Sequence, residues 1–185
     1  MSTSATQSLL DGVKVLDLSQ YIPGPFSSMK MLNLGAQVIK VEPPGGDPMR
    51  HFGAEGKALS PLYVHLNRGK KIVALDLKTE SGREQFTRLL KEADVLIEGF
   101  RPGTLQRLGY SMETLHGINP RLIICSLSGF GQQGRLAPRS GHDLGYAARA
   151  GLFSRASDHS RPQPVYPPVA DHASALDALF MICAA

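Results

Sequence analysis

The sequence predicts an α/β protein built on a Rossmann-like, doubly wound, mainly parallel sheet with flanking helices. Three observations predict it. Short apolar runs of strand length alternate with segments whose apolar residues recur at helical spacing. Turns rich in Gly and Pro separate the two kinds of segment. The chain has 185 residues, 42% hydrophobic and 19% charged, which suits a folded domain and excludes a disordered tail, a collagen-like fibre or a coiled coil.

Residues 13–18, after the turn-forming Asp11-Gly12, read as a buried first strand. Pro23-Gly24-Pro25 breaks it, residues 26–34 have helical spacing, and Gly35 ends that helix as a C-cap would. Residues 38–41 read as a second strand, closed by Pro43-Pro44-Gly45-Gly46. Such a βαβ unit implies parallel pairing. Residues 47–61 read as irregular, and residues 72–77 as a third strand. Residues 79–91 form an amphipathic helix with Phe86, Leu89 and Leu90 on one face, Thr79 at its start and Gly82 as a weak spot in its first turn. Residues 94–97 make a fourth strand, followed by a loop through Phe100-Arg101-Pro102-Gly103 and two short helices. Residues 122–127 make a fifth strand that runs into Ser128-Gly129-Phe130-Gly131.

This divides the chain into a flexible N-terminus (residues 1–9), a Rossmann-like large domain (10–153), a Pro-rich loop (154–170) and the start of a helix (171–185). The loop carries Pro162, Pro164, Pro167 and Pro168. The last helix has no Gly, basic last turn or Pro to stop it, so the expectation is a chain cut short.

Several functions are excluded or disfavoured. The formal charge of +4 is mild, there is no Trp, and aromatic and basic residues do not interleave, so nucleic acid is not an expected partner. No run approaches the roughly 20 apolar residues that span a bilayer, and residues 1–7 do not read as a signal peptide. Cys125 and Cys183 lie in apolar runs and read as reduced core thiols in the cytoplasm. The six histidines are scattered and no metal spacing is present. No Gly-x-Gly-x-x-Gly fingerprint stands in the turn after the first strand and no P-loop occurs, which argues against NAD, FAD or a nucleoside triphosphate.

Three features carry possible chemistry. Arg68, Lys70, Lys71, Lys78, Arg101 and Arg107 form a basic set around the third and fourth strands that could clamp phosphate. Any one of them is more readily a solvated surface charge. His142, in Ser140-Gly141-His142-Asp143, precedes a helix and reads as an exposed first-turn histidine or an acid–base group. Asp171 starts a helix after Val169-Ala170 and reads as an N-cap or a catalyst. The residues alone do not separate those readings.

Taken together, the segments resemble the family III CoA-transferases, the CaiB/BaiF-like group that also contains the α-methylacyl-CoA racemases. The resemblance rests on Leu10-Asp11-Gly12-Val13-Lys14-Val15-Leu16-Asp17-Leu18, Pro23-Gly24-Pro25, Leu34-Gly35-Ala36, Val38-Ile39-Lys40-Val41-Glu42 and Gly46-Asp47. It continues through Asn67-Arg68-Gly69-Lys70-Lys71, Leu75-Asp76-Leu77-Lys78, Gly99-Phe100-Arg101-Pro102-Gly103, Arg107-Leu108-Gly109, Asn119-Pro120-Arg121-Leu122 and Ser128-Gly129-Phe130-Gly131.

The resemblance implies a large Rossmann-like domain, a small second domain that this chain lacks, and an interlocked homodimer for a full-length member. Coenzyme A would be part of an acyl-CoA substrate, with no tightly bound cofactor. Ile22 and Pro23 match contacts near the nucleotide, and Leu75, Asp76, Leu77 and Lys78 match the segment beside the adenosine. Gly99, Phe100 and Arg101 match a backbone and side-chain contact, and Arg107 a phosphate-binding arginine. Where relatives often carry an Arg after the acidic residue of the second strand, this chain has Pro43, a loss that Lys40 or Arg50 would have to compensate.

Asp171 matches the family's catalytic aspartate, a nucleophile in the transferases. In the racemases the matching Asp works with a His from a Gly-His-Asp motif, whose place His142 occupies, with Gly141 and Tyr146 lining the site. His142 tips the reading toward a racemase that removes and returns the α-proton of a 2-methylacyl-CoA. A CoA-transferase acting through an Asp171-linked intermediate is the alternative, favoured by His172-Ala173-Ser174-Ala175 where many racemases have a Gly-rich run. A truncated, non-catalytic CoA-binding remnant is a third reading.

Overall fold

The computed structural model describes residues 8–53, 58–155 and 166–185. Five strands form one sheet: β1 (Lys14–Asp17), β2 (Gln37–Glu42), β3 (Lys71–Ala74), β4 (Val95–Glu98) and β5 (Ile123–Ser126). Their spatial order is β3-β2-β1-β4-β5, and all four neighbouring pairs are parallel. The α/β, doubly wound expectation therefore holds. The winding direction reverses between β1 and β4, the place where open α/β sheets leave a ligand crevice at their carboxyl ends.

Strand side chains alternate between the two faces. Leu16, Leu18, Val41 and Leu96 pack with Phe86, Leu90, Leu105 and Leu115, so α3 (Glu80–Glu92), α4 (Thr104–Arg107) and α5 (Met112–Ile118) cover one face. Val15, Val38, Val95 and Ile97 pack with Met31 and Ile182, so α1 (Pro23–Asn33) and α7 (Val169–Ala184) cover the other. Strands buried on both sides read as unbroken apolar runs, and this is why β1 and β4 are legible in the sequence.

Several boundaries differ from expectation, the larger differences for local reasons. Pro23-Gly24-Pro25 opens α1 instead of preceding it, because the first turn of a helix needs no intrahelical N–H donors. The stretch expected to be irregular holds a 3-10 turn, Pro48–His51, capped by Asp47. It ends in α2 (Pro61–Asn67), a seven-residue helix too short to show periodicity. β3 stops at Ala74 because its partner β2 ends at Glu42; Leu75 N–H makes the last ladder bond to Glu42 O (2.8 Å). An Asx turn follows, in which Lys78 N–H donates to Asp76 Oδ1 (3.0 Å).

α7 begins at Val169, which places Asp171 in its first turn and not at its N-cap, the position held by Pro168. The cysteines correct the core-thiol reading. Cys125 is half-buried, with its thiol pushed up to about 11 by burial and the nearby Glu98 and Asp177 charges, whereas Cys183 is exposed. Both are free. The expected flexible start through residue 7, together with Pro162 and Pro164, lies outside the described residues. Among those residues, no helix is long and apolar enough to cross a membrane, and no His, Cys, Asp or Glu cluster could hold a metal ion.

Candidate active site

The β1–α1 loop (residues 18–22) and the β4–α4 loop (residues 99–103) meet at the switch point. A Cβ on Gly99 would stand 3.5 Å from Ser19 Cβ and 3.9 Å from the backbone N of Gln20, so these loops approach backbone to backbone. Gly24 is far more constrained, since a side chain there would strike Ser19. Ile22 and Pro23 are half-buried at the start of α1. Between them and Ser19, Tyr21 adopts φ +64°, an uncommon conformation for a residue with a Cβ.

In the facing loop Gly99 and Arg101 are exposed and Phe100 is half-buried. The Phe100 N–H donates to Glu98 Oε2 (2.8 Å). Burial pushes the Glu98 carboxyl up against the opposing bonds from Ser126 and Phe100. The candidate adenosine segment follows β3: Leu75 and Leu77 are buried in the core, Asp76 shapes the turn, and Lys78 is exposed. Arg83 of α3 braces it by donating to Lys78 O (2.9 Å).

A second group gathers around Asp171. The Asp171 N–H donates to Asp143 Oδ1 (3.0 Å), tying the first turn of α7 to the first residue of α6 (Asp143–Arg149). The half-buried Asp171 carboxyl is pushed above the ordinary aspartate value by burial and by the Asp143 charge, while His172 and His142 pull the other way. His142 and Asp171 are thus within electrostatic reach of each other. His142 is the N-cap residue of α6 and is exposed, with its ring edge-on to Tyr21 at 6.1 Å.

The Tyr146 ring occupies the space beside Gly129 and Gly141. A Cβ on Gly141 would lie 2.7 Å from its Cε1, and one on Gly129 would collide with its hydroxyl end. Phe130 stacks edge-on to it at 5.3 Å. Burial and the Asp171 charge both raise the Tyr146 hydroxyl. His172 points the other way, its Nδ1 bonded to Pro168 O (2.7 Å) and its ring edge-on to Phe26 at 4.9 Å.

The expected basic set divides. Arg68, Lys71, Lys78, Arg101 and Arg107 are exposed, but Lys70 is buried in an ion pair with Asp17 (3.1 Å) and is not a surface phosphate clamp. Neither cation suggested as a replacement beside Pro43 is spare. Lys40 is fully buried against Asp47 (2.9 Å). Arg50 is engaged by Glu42 (2.7 Å) and lies over the Tyr63 ring (4.7 Å).

Arg107 donates to Thr104 Oγ1 (2.8 Å) and lines an open groove of about 730 Å³ between α3 and α4–α5. The lining of that groove includes none of Arg101, His142 or Asp171. A smaller cavity of about 370 Å³ touches Lys14, Gln37 and Lys71, at the amino ends of β1, β2 and β3, the end opposite the crevice.

Sequence reasoning missed Asp143, Tyr21, Phe130 and Glu98 as parts of the site. Asp143 could have been found, because an Asp directly after His142 and opening a helix faces whatever docks on that helix start. Tyr21 had no signal, since its left-handed backbone is set by the loop and not by its residue type.

A half-buried carboxylate beside a second carboxylate is a stronger base and nucleophile than a free aspartate, provided it stays ionised. Comparison with known proteins gives this chemistry a setting. The family model described as CoA-transferase family III matches residues 10–185. The "Probable fatty acyl-CoA transferase Rv3272" of Mycobacterium tuberculosis is 40% identical over 178 residues, 94% of this chain and 45% of that protein. The human succinyl-CoA:glutarate CoA-transferase is 39% identical over 163 residues, 87% of this chain and 37% of that protein. A crystal structure of a CAIB/BAIF family protein from Brucella suis superposes with a TM-score of 0.90 at 38% identity, covering 96% of this chain and 49% of that one. The chain thus spans less than half the length of these curated relatives.

Proposed function

The chain belongs to CoA-transferase family III, and from that premise we propose that it carries the CoA-binding and nucleophile-bearing part of an enzyme that moves CoA between carboxylic acids. The observation that carries this reading is Asp171: half-buried, its carboxyl raised by burial and by Asp143, and docked on the helix start that also presents His142 and Tyr146. The preference for α-proton return gives way to its alternative, because these relatives bear transferase names. His142 becomes a wall of the site beside Tyr21.

In this reading the Asp171 carboxylate attacks the thioester carbonyl. The C–S bond breaks, CoA leaves as a thiolate, and a mixed anhydride forms on Asp171. The thiolate then attacks the aspartyl carbonyl of that anhydride, releasing the first acid as its carboxylate and leaving a CoA thioester on Asp171. An incoming carboxylate attacks this thioester and expels the thiolate again. The thiolate takes the new acyl group and Asp171 regains its negative charge.

The raised pKa of Asp171 makes it a better nucleophile but a poorer leaving group, so surroundings that tune it serve both halves of the cycle. CoA would lie across the switch point, with Ile22 and Pro23 on one side and Gly99, Phe100 and Arg101 on the other. Leu75, Asp76, Leu77 and Lys78 would border the adenosine, and Arg107 would meet a phosphate. A small second domain, an interlocked homodimer and a cytoplasmic location belong to the same proposal.

The test uses succinyl-CoA with isotope-labelled glutarate, the pair named for the human relative. The chain should carry CoA as an adduct on the Asp171 peptide by mass spectrometry, and Asp171→Ala should carry none. His142→Ala should retain the adduct. An adduct that survives Asp171→Ala would overturn the assignment.

A further inference from the structure

A buried charged cluster lies under the switch-point crevice, and the proposed acyl chemistry does not use it. Asp17 ends β1 with its side chain fully buried. Lys70 Nζ stands 3.1 Å from Asp17 Oδ2 and also donates to Pro25 O and Asn67 Oδ1, each at 2.9 Å. Ser28 Oγ donates to the same Asp17 oxygen (2.5 Å), while the Ser19 N–H (3.0 Å) and hydroxyl donate to the other. Lys40 Nζ donates to Ser19 O (2.8 Å) and pairs with the equally buried Asp47 (2.9 Å).

These bonds fall on two points that bracket the turn from the β1–α1 loop into α1. Ser19 is gripped through its N–H, its carbonyl and its hydroxyl, and Pro25 through its carbonyl. Between the two points lie Gln20, Tyr21, Ile22, Pro23 and Gly24, including the left-handed Tyr21. A strained backbone persists only where its surroundings over-determine it. Buried ion pairs are poor sources of net stability, yet they fix geometry because each ammonium must satisfy several oxygens at set positions.

We propose that Lys70 and Lys40 are positioning residues, two buried ammonium groups that hold the β1–α1 loop in the shape in which Ile22 and Pro23 receive CoA. The inference rests on the proposed function for its ligand, but not for the loop restraint itself. Asp17 and Asp47 are the counter-charges that keep both ammonium groups in place.

The test compares the whole chain with Asp17→Asn/Lys70→Met, which removes both charges of one pair and leaves neither buried alone. Ser28→Ala is the milder probe, deleting the hydroxyl's bonds to Asp17 Oδ2 and Pro25 O and no charge. Leu115→Ala, in the core on the opposite face of the sheet, serves as a destabilised control. Amide hydrogen exchange of residues 20–24 and calorimetric binding of CoA are both measured.

In the charge-deleted variant the loop amides should exchange faster. If the competent loop shape falls to about a tenth of its population, CoA affinity falls about tenfold. Ser28→Ala should show the same changes at smaller size, and Leu115→Ala neither. Should Asp17→Asn/Lys70→Met fail to fold, Ser28→Ala decides the matter. Unchanged loop exchange in the folded variants, or an equal loss in Leu115→Ala, would overturn the proposal. If the unsubstituted chain binds no CoA, the functional reading fails, and exchange alone judges the restraint.

Discussion

Asp171 has a carboxylate neighbour that does two things. Asp143 accepts the Asp171 N–H, which fixes the turn, and after burial its charge is the second cause that raises the Asp171 carboxyl. Asp143→Asn keeps an oxygen acceptor while deleting the charge, so it separates the two roles. The expected outcome is a lower Asp171 pKa with α7 still docked, read from the carboxyl carbon shift of Asp171 during an NMR titration. An unchanged midpoint would show that burial alone sets the value. The sequence singled out Asp171 through its resemblance, but its place in the first turn, three positions past the N-cap Pro168, was not legible. The burial of Lys70 was not legible either. Lysine is almost never fully buried unless paired, and its partner Asp17 lies 53 positions away in the chain.

At the scale of elements, the start of α3 shows why a local weakness can be required. Gly82 lowers helix propensity by about 1 kcal/mol relative to Ala. Its N–H is capped by Thr79 Oγ1 (3.1 Å), and a Cβ there would run into the backbone carbonyl of Asp76. Overpacking against fixed backbone costs about 1–3 kcal/mol, which exceeds the propensity gain. Gly82→Ala should therefore lower the thermal midpoint and disturb the 75–78 segment proposed to border adenosine. Thr79→Ala, which removes the cap and the hydroxyl's bond to Asp76 O (2.8 Å), should cost about 1 kcal/mol in denaturant unfolding. The cap and the amphipathic face were legible, whereas the close approach of Asp76 was not, because it depends on where β3 stops. β3 in turn stops where β2 ends, a pairing between strands that no single segment encodes.

On the scale of the whole molecule, the parallel pairing followed from the alternation of apolar runs, whereas the strand order β3-β2-β1-β4-β5 was not legible. Nor was the assembly of the switch point, since it joins loops from β1 and β4 that lie far apart in the chain. Acid should weaken this assembly. Burial pushes Asp17 upward, but the Lys70 and Lys40 charges with the Ser19 and Ser28 bonds outweigh it and hold the group below the ordinary 3.8. A depressed folded pKa contributes stability above the unfolded value and loses it as pH falls through the folded value. The Glu42 carboxyl acts in the same direction, against burial, through Arg50, Tyr63 and the Asp47 N–H. Thermal midpoints measured downward from neutral pH should drop below about pH 4. The drop should be smaller in Asp17→Asn/Lys70→Met, and equal drops would place the acid sensitivity elsewhere.

One buried bond joins the two ends of this architecture. The Ser27 hydroxyl of α1 donates to Ala175 O of α7 (2.7 Å), across 148 positions of sequence. A ribosome emits the chain in that order, at about 5–20 residues per second. The nascent sheet and its loops are thus exposed for several seconds before the carboxylate-bearing helix emerges to close over α1. The helix that bears Asp171 follows the loops it closes over, and during synthesis the proposed thioester cradle precedes the group proposed to act on its contents.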